Sequence, residues 1–318
     1  HDGFLAKFSP TGALRWATYF GGTENESIGS IDCDSKGNVY IGGNTQSPGI
    51  ATVGNTTLLG ILDAYLAKFD ANGSHLWTRY VGGEGNEGNL KGIHVDKNDD
   101  VLLITGTNSA TGIATPGSWR PTHITGSLGT NAALVKIDGN GQTLWGTYLH
   151  GGPMYSVKTD PHNDIWICGS PSSNAGWDTI MTTQDAHKGA SQGNSVEGWI
   201  GKITADGSAL KYGSFWGSVG AEYFLSLAID KSGGVYAAGY TTGGVDLATP
   251  GAYQDTLGGG LTDGIIVRFT DCSVLRGTDL IADGPVSFCQ GESVTLNVET
   301  PAILGCLSYQ WQLDGTNI

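Results

Sequence analysis

The sequence predicts an all-β fold, a β-propeller of four-stranded antiparallel blades that is incomplete in this chain. Three observations carry the prediction. A unit of about 61 to 68 residues recurs, marked by Lys7, Lys68, Lys136, Lys202 and Arg268 at the same point of a "D-x-hydrophobic-K-F" line. Each unit holds short segments rich in Val, Ile, Tyr and Trp, bounded by turn residues. No stretch has a convincing helical period. Four short strands cannot bury their own faces, so the copies must pack against one another, as a propeller or as a solenoid.

The strands follow in order. First strands read as Ser27 to Asp32, Lys91 to Asp96, Ser156 to Asp160 and Ser226 to Asp230. Second strands read as "NVYIGG" ending at Gly43, "DVLLITG" at Gly106, "DIWICG" at Gly169 and "GVYAAG" at Gly239. The third strand is "DAYLAKF" at Asp63 to Phe69, with copies starting at Asp2, Asn131, Glu197 and Asp263. It places Tyr65, Ala67 and Phe69 on one face and Ala64 and Leu66 on the other, so both faces are largely apolar. A sheet buried on both sides suits a blade wedged between blades, which favours the propeller. The fourth strand carries Trp16, Trp77, Trp145 or Tyr212, with Tyr19, Tyr80, Tyr148 or Phe215 three residues on.

The turns agree. Asp34 to Gly37, Asp96 to Asp99, Asp160 to Asn163 and Asp230 to Gly233 join first to second strands. Ser9 to Gly12, Asp70 to Gly73, Asp138 to Gly141 and Thr204 to Gly207 join third to fourth. Each opens on a capping side chain and closes on Gly, Asn or Asp, the residues that tolerate a left-handed backbone. That is the chemistry of a type I turn closed by a bulge, and it makes two tight hairpins per unit.

The run "GNVYIGGNTQSPGIATVG…DAYLAKFDANGSHLWTRYVGG", with "ATPGAYQ" at Ala248 to Gln254, resembles the bacterial beta-propeller repeat known as SBBP. The resemblance covers residues 2 to about 270. It implies a propeller, commonly of about seven blades, in large secreted bacterial proteins, many of them from Bacteroidetes. It implies no catalytic activity, because the repeat is recognised by scaffold residues. Counting strands gives three full blades and two partial ones over residues 1–270, so further blades or a closing strand are expected before His1. The absence of an initial Met and of a signal peptide fits a processed chain or a fragment.

Residues 271–284 read as a linker, and 285–318 resemble the front of an immunoglobulin-like β-sandwich. There Val294, Leu296 and Val298 alternate, as do Tyr309, Trp311 and Leu313, with Trp311 in the place of the core tryptophan. Such a sandwich needs roughly 100 residues, so only its N-terminal part is expected here. The usual strand-B cysteine is missing.

Sixteen basic and thirty acidic residues give a net charge of -14, which argues against nucleic acid or an anionic membrane as partner. No apolar run reaches the roughly 18 residues of a membrane span. Cys33 and Cys168 read as unpaired core residues. Cys289 and Cys306 flank the first sandwich hairpin, and the sequence leaves open whether they pair in an oxidising compartment.

The search for chemistry finds no HExxH, GxSxG, Walker or dinucleotide fingerprint. The seven histidines do not recur in register, and His94, inside a strand, reads as packing. The recurrent Lys and Arg read as partners of blade carboxylates or caps of backbone carbonyls. Asp96, Asp99 and Asp100 offer carboxylates for calcium, but they do not match an EF-hand loop and turn capping explains them as well, so no cofactor is expected, with calcium as the alternative. Asp178-Thr179-Ile180 and Asp255-Thr256-Leu257 are similar to a short O-glycosylation acceptor of Bacteroidetes, at Thr179 and Thr256.

The long connection between second and third strands emerges at the same point of every unit, which places these loops on one face. Trp119, Trp177 and His187 are the candidate contacts for a partner, with buried aromatics as the alternative. The expectation is a non-catalytic secreted or cell-surface scaffold for binding, adhesion or display, meeting a protein or glycan. By family analogy it is exported by a type IX system. The alternative is a carbohydrate-active lyase or glycosidase, which needs carboxylates or Arg, His and Tyr groups converging at the channel mouth.

Overall fold

A computed structural model describes residues 1–123, 131–149, 151–171, 178–191, 196–244 and 247–269, together with short strands at 280–282, 296–298, 312–313 and 316–317. The chain divides into two compact units, one of His1–Ile229 with Tyr236–Val267 and one of Asp230–Val235 with Arg268–Ile318.

The chain is all-β, as the repeat predicts. A two-stranded sheet of β1 (Gly3–Phe8) and β2 (Leu14–Phe20) comes first. Three four-stranded antiparallel sheets follow: β3 (Glu26–Cys33), β4 (Val39–Thr45), β5 (Asp63–Phe69) and β6 (His75–Val81); β7 (Glu87–Val95), β8 (Val101–Thr107), β9 (Asn131–Ile137) and β10 (Thr143–Leu149); β11 (Met154–Thr159), β12 (Ile165–Gly169), β13 (Gly198–Ile203) and β14 (Leu210–Trp216). A four-residue helix α1 (Asp178–Met181) lies between β12 and β13, and a three-stranded sheet of β15 (Glu222–Ile229), β16 (Val235–Thr241) and β17 (Asp263–Phe269) follows. Within every sheet the strands pair in chain order, because each connection is a hairpin or a loop that returns to the neighbouring strand.

The hairpins close where the sequence placed them. The left-handed position falls on Gly37, Asp99 and Asn163 in first-to-second turns and on Gly12, Gly73, Gly141 and Gly207 in third-to-fourth turns. The opening Asp accepts the backbone N–H groups two and four residues on, as Asp34 does from Lys36 and Asn38. A register shift beside Lys7, Lys68 and Lys202 marks the bulge that follows each third strand.

In each complete sheet the second and third strands are buried on both faces, because a neighbour covers each one. Tyr40, Leu66 and Trp77 pack forward onto Leu90, Ile93, Leu103 and Val135 of the next sheet. Ile41, Tyr65 and Phe69, on the opposite face of the same strands, pack back onto Leu5 and Phe20. The interface between the second and third complete sheets repeats the scheme with Leu102, Leu134 and Trp145 against Val157, Ile167 and Trp199. Strands β3, β7, β11 and β15 lie against one another in turn, so the first strand is the inner edge of each blade.

Cys33 departs from its expected place in the core. It is exposed and unpaired at the end of β3, whereas Cys168 is buried and unpaired. Ile31 and Cys33 lie on the exposed face of β3, because β1 and β2 bring only third- and fourth-strand equivalents to that side.

In the second unit β18 (Leu280–Ala282) pairs with β19 (Leu296–Val298), and β20 (Gln312–Leu313) with β21 (Thr316–Asn317). Strand β18 falls within the stretch read as a linker, and Cys289, Cys306 and Trp311 of the expected sandwich lie outside the described residues. No helix among the described residues is long and apolar enough to cross a membrane.

Candidate functional site

Most polar side chains that recur in the copies are engaged in holding blades together. In the third strand, Lys68 Nζ lies 3.5 Å from Asp34, Lys136 Nζ 2.7 Å from Asp96 and Lys202 Nζ 3.0 Å from Asp160, each pair joining a third strand to the first turn of its own blade. Arg268 repeats the pair with Asp230 at 3.9 Å in the second unit. Lys68 also caps a neighbour: it and Trp77 Nε1 both donate to the Gly139 carbonyl of the next blade, as Lys7 and Trp16 both donate to Ala71. The acidic turn considered for calcium is occupied in the same way. Asp96 and Asp100 flank Lys136, and Asp99 accepts from the backbone N–H and hydroxyl of Ser35. Among the described residues no group of three or more His, Cys, Asp and Glu side chains is placed to hold a metal ion.

A buried carboxylate at the start of the first strand organises the stem of the long loop, and sequence reasoning passed over it. Glu87 accepts from Thr107 at 2.8 Å and Ser109 at 2.5 Å, and from the backbone of Gly83 at 3.2 Å. Glu26 repeats the bond with Thr45 at 2.6 Å and Glu222 with Thr241 at 3.0 Å. Burial pushes the Glu87 carboxyl up to about 7, against the lowering effect of the two hydroxyl donors. The recurrence of Glu26, Glu87 and Glu222 one or two periods apart was the available signal.

One cluster of polar side chains does not recur. His94 Nδ1 lies 3.1 Å from Asp32 Oδ2, and His94 Nε2 lies 3.0 Å from Thr159 Oγ1. The three residues sit on β3, β7 and β11, the inner strands of three successive blades, so the repeat period brings them together from positions far apart in sequence. The Asp32 carboxylate is partly buried, which alone would raise its pKa. Bonds from His94 and from the backbone N–H groups of Val95 and Cys33 outweigh that burial and hold it below its ordinary value. His94 thus has a hydrogen-bond partner on each ring nitrogen.

The residues singled out in the long loops are dispersed. Trp119 is half-buried against the cluster of Trp145 and Trp199, its backbone N–H donating to Gly207 at 2.8 Å and the Arg120 guanidinium 5.8 Å from its ring. His187 is exposed. Trp177 lies outside the described residues. Thr256 is exposed, and Thr179 lies in α1, where only the backbone is described.

Residues 15–50 match the family model of the SBBP beta-propeller repeat. No curated protein sequence matches the chain. Solved structures similar to it include a protein of unknown function from Bacteroides caccae, at 9% identity and TM-score 0.38, covering 74% of this chain and 65% of that one. A luciferin-regenerating enzyme is similar at 12% identity and TM-score 0.39, covering 80% and 67%, and a Synechocystis apocarotenoid oxygenase at 10% identity and TM-score 0.37, covering 93% and 56%. The chain thus spans less than two thirds of the first and third of these structures. Two of the three are enzymes. The expectation that this chain is not an enzyme is corrected: scaffold motifs in a repeat do not exclude catalysis by residues that vary between its copies.

Proposed function

We propose that the chain is a secreted or cell-surface binding scaffold that presents the loops between second and third strands to a protein or glycan. One observation carries the reading. The side chains that recur join strand to turn, loop stem to strand and blade to blade, whereas the loop bodies differ in length and composition on an otherwise constant frame. In the long loop before β13, residues 182–191 include the exposed His187. Rigid elements with variable connections are the usual arrangement for recognition, since a fixed frame lowers the entropy lost on binding. Export through a type IX system belongs to the same proposal and is supported by the resemblance alone.

The test is binding of the purified chain to a panel of surface polysaccharides and surface proteins, beside variants in which one loop tip at a time is replaced by a Gly-Ser linker. Loss of binding with an unchanged melting temperature on replacing a single tip is expected. Binding that survives every replacement, or none to any member of the panel, argues against the scaffold.

A further inference from the structure

The inner-strand position two residues before the turn aspartate differs in every copy: Asp32, His94, Lys158 and Ala228. The turn aspartate itself, at Asp34, Asp96, Asp160 and Asp230, never changes. A position that serves the blade would be expected to keep one chemistry, as the turn does. Neighbouring inner strands are already joined by another device, in which Ser30 Oγ accepts from the Ile93 backbone and Ser156 Oγ from the Leu227 backbone, both at 3.1 Å. The imidazole is thus additional to what holds the blades in register.

Donor and acceptor rules fix how the cluster is wired. An ionised Asp32 only accepts, so His94 Nδ1 carries the hydrogen of the 3.1 Å contact. In the neutral ring Nε2 then has only a lone pair to offer, and the 3.0 Å contact must be donated by the Thr159 hydroxyl. A hydroxyl donating to an imidazole that a carboxylate orients is the arrangement that activates an alcohol nucleophile, recognised by geometry and role whatever the chain order. The His94 and Asp32 side chains are 18% and 30% exposed, so small molecules in solvent can reach them.

We propose that Asp32, His94 and Thr159 form an acyl-transfer centre that acts on small esters. Thr159 Oγ1 attacks the ester carbonyl carbon while its proton passes to His94 Nε2. The bond from that carbon to the alcohol oxygen breaks, the alcohol leaves with the proton from Nε2, and the acyl group remains on Thr159. Water then attacks the acyl-threonine with His94 as base, releasing the acid and restoring the hydroxyl. Asp32 keeps the imidazole oriented throughout and stabilises its charge.

The intact chain is incubated with p-nitrophenyl acetate, nitrophenolate release is followed, and the peptide containing Thr159 is mapped by mass spectrometry. Acetylation of Thr159 with an initial burst of nitrophenolate is expected. Thr159→Val and His94→Gln should lower Thr159 labelling and the burst by on the order of a hundredfold or more, Thr159→Ser should retain both, and Lys158→Met should leave them unchanged. Thermal melts report whether each variant is folded; where His94→Gln is not, Asp32→Asn and Thr159→Ser decide. Absence of acetyl on Thr159 in the folded wild-type chain overturns the proposal. So does Thr159 labelling that proceeds at the wild-type rate in folded His94→Gln or Asp32→Asn.

Discussion

Lys136 Nζ stands 2.7 Å from the Asp96 carboxylate, and both side chains are almost entirely buried. Asn163 of the next blade donates to the same carboxylate at 3.0 Å, so this one ion pair ties a third strand, its own first turn and a neighbouring turn together. Removing one partner leaves the other charge buried and unpaired. Lys136→Ala should therefore cost about 3–5 kcal/mol, whereas Arg268→Ala, from the exposed 3.9 Å pair with Asp230, should cost less than about 1 kcal/mol. Urea unfolding of the two variants gives the comparison.

Gly207 has a φ of +72°, and a Cβ placed there would lie 2.6 Å from the Trp145 ring. Gly12 has the same left-handed backbone, at +81°, but nothing within 4 Å. Gly12→Ala should carry the backbone strain alone, about 1–2 kcal/mol, while Gly207→Ala adds the displacement of Trp145 and should exceed it by about 1–3 kcal/mol. Melting temperatures of the pair separate the two contributions.

The buried Glu87 gives stability a dependence on pH. Its folded-state pKa is raised to about 7 from an ordinary 4.5, so the folded chain holds this proton more tightly than the unfolded one. The resulting stabilisation is fully present below about 4.5 and is lost as pH rises through about 7. Glu87→Gln, titrated by denaturant midpoint from pH 4 to 8, should flatten that decline.

Asp32 and Asp96 act in the opposite sense. Burial alone would raise their pKa values, but hydrogen bonds, led by His94 at Asp32 and by Lys136 at Asp96, hold both below the ordinary 3.8. Their stabilisation is present above that value and lost as pH falls through the lowered one. Asp96→Asn should therefore lessen the loss of stability below pH 4, at the cost of a lower midpoint at neutral pH.

Trp119 and His187 should behave differently although both lie in long loops. Trp119→Ala removes a half-buried ring from an interface between blades and should cost about 2 kcal/mol. His187→Ala touches an exposed side chain and should stay within about 0.5 kcal/mol. Calorimetry of both variants, run beside the binding panel, shows whether a loss of binding follows from the contact or from the frame.

The strands, turns and bulges were legible because they rest on local chemistry. Asp34 bonds the amides two and four residues ahead, and Gly37 adopts the left-handed backbone that ends the turn. The recurrent Lys-to-Asp pairs were legible too, since recurrence fixes both partners in register. Asp32, His94 and Thr159 were not, because each lies in a different copy and no motif links them until neighbouring first strands meet.

The sequence by itself determined the repeat, the four-stranded unit, its turn chemistry and the apolar character of both faces. Tertiary structure decided which of those faces are covered and which side chains meet. Phe4 is 74% exposed while Tyr65 at the same place in the next copy is 0% exposed, and Ile266 is 80% exposed where Leu66 is 0%. The letters are nearly equivalent; the difference is the presence of a neighbouring blade. Burial and convergence belong to pairs of blades, whereas strand and turn formation belong to a few consecutive residues.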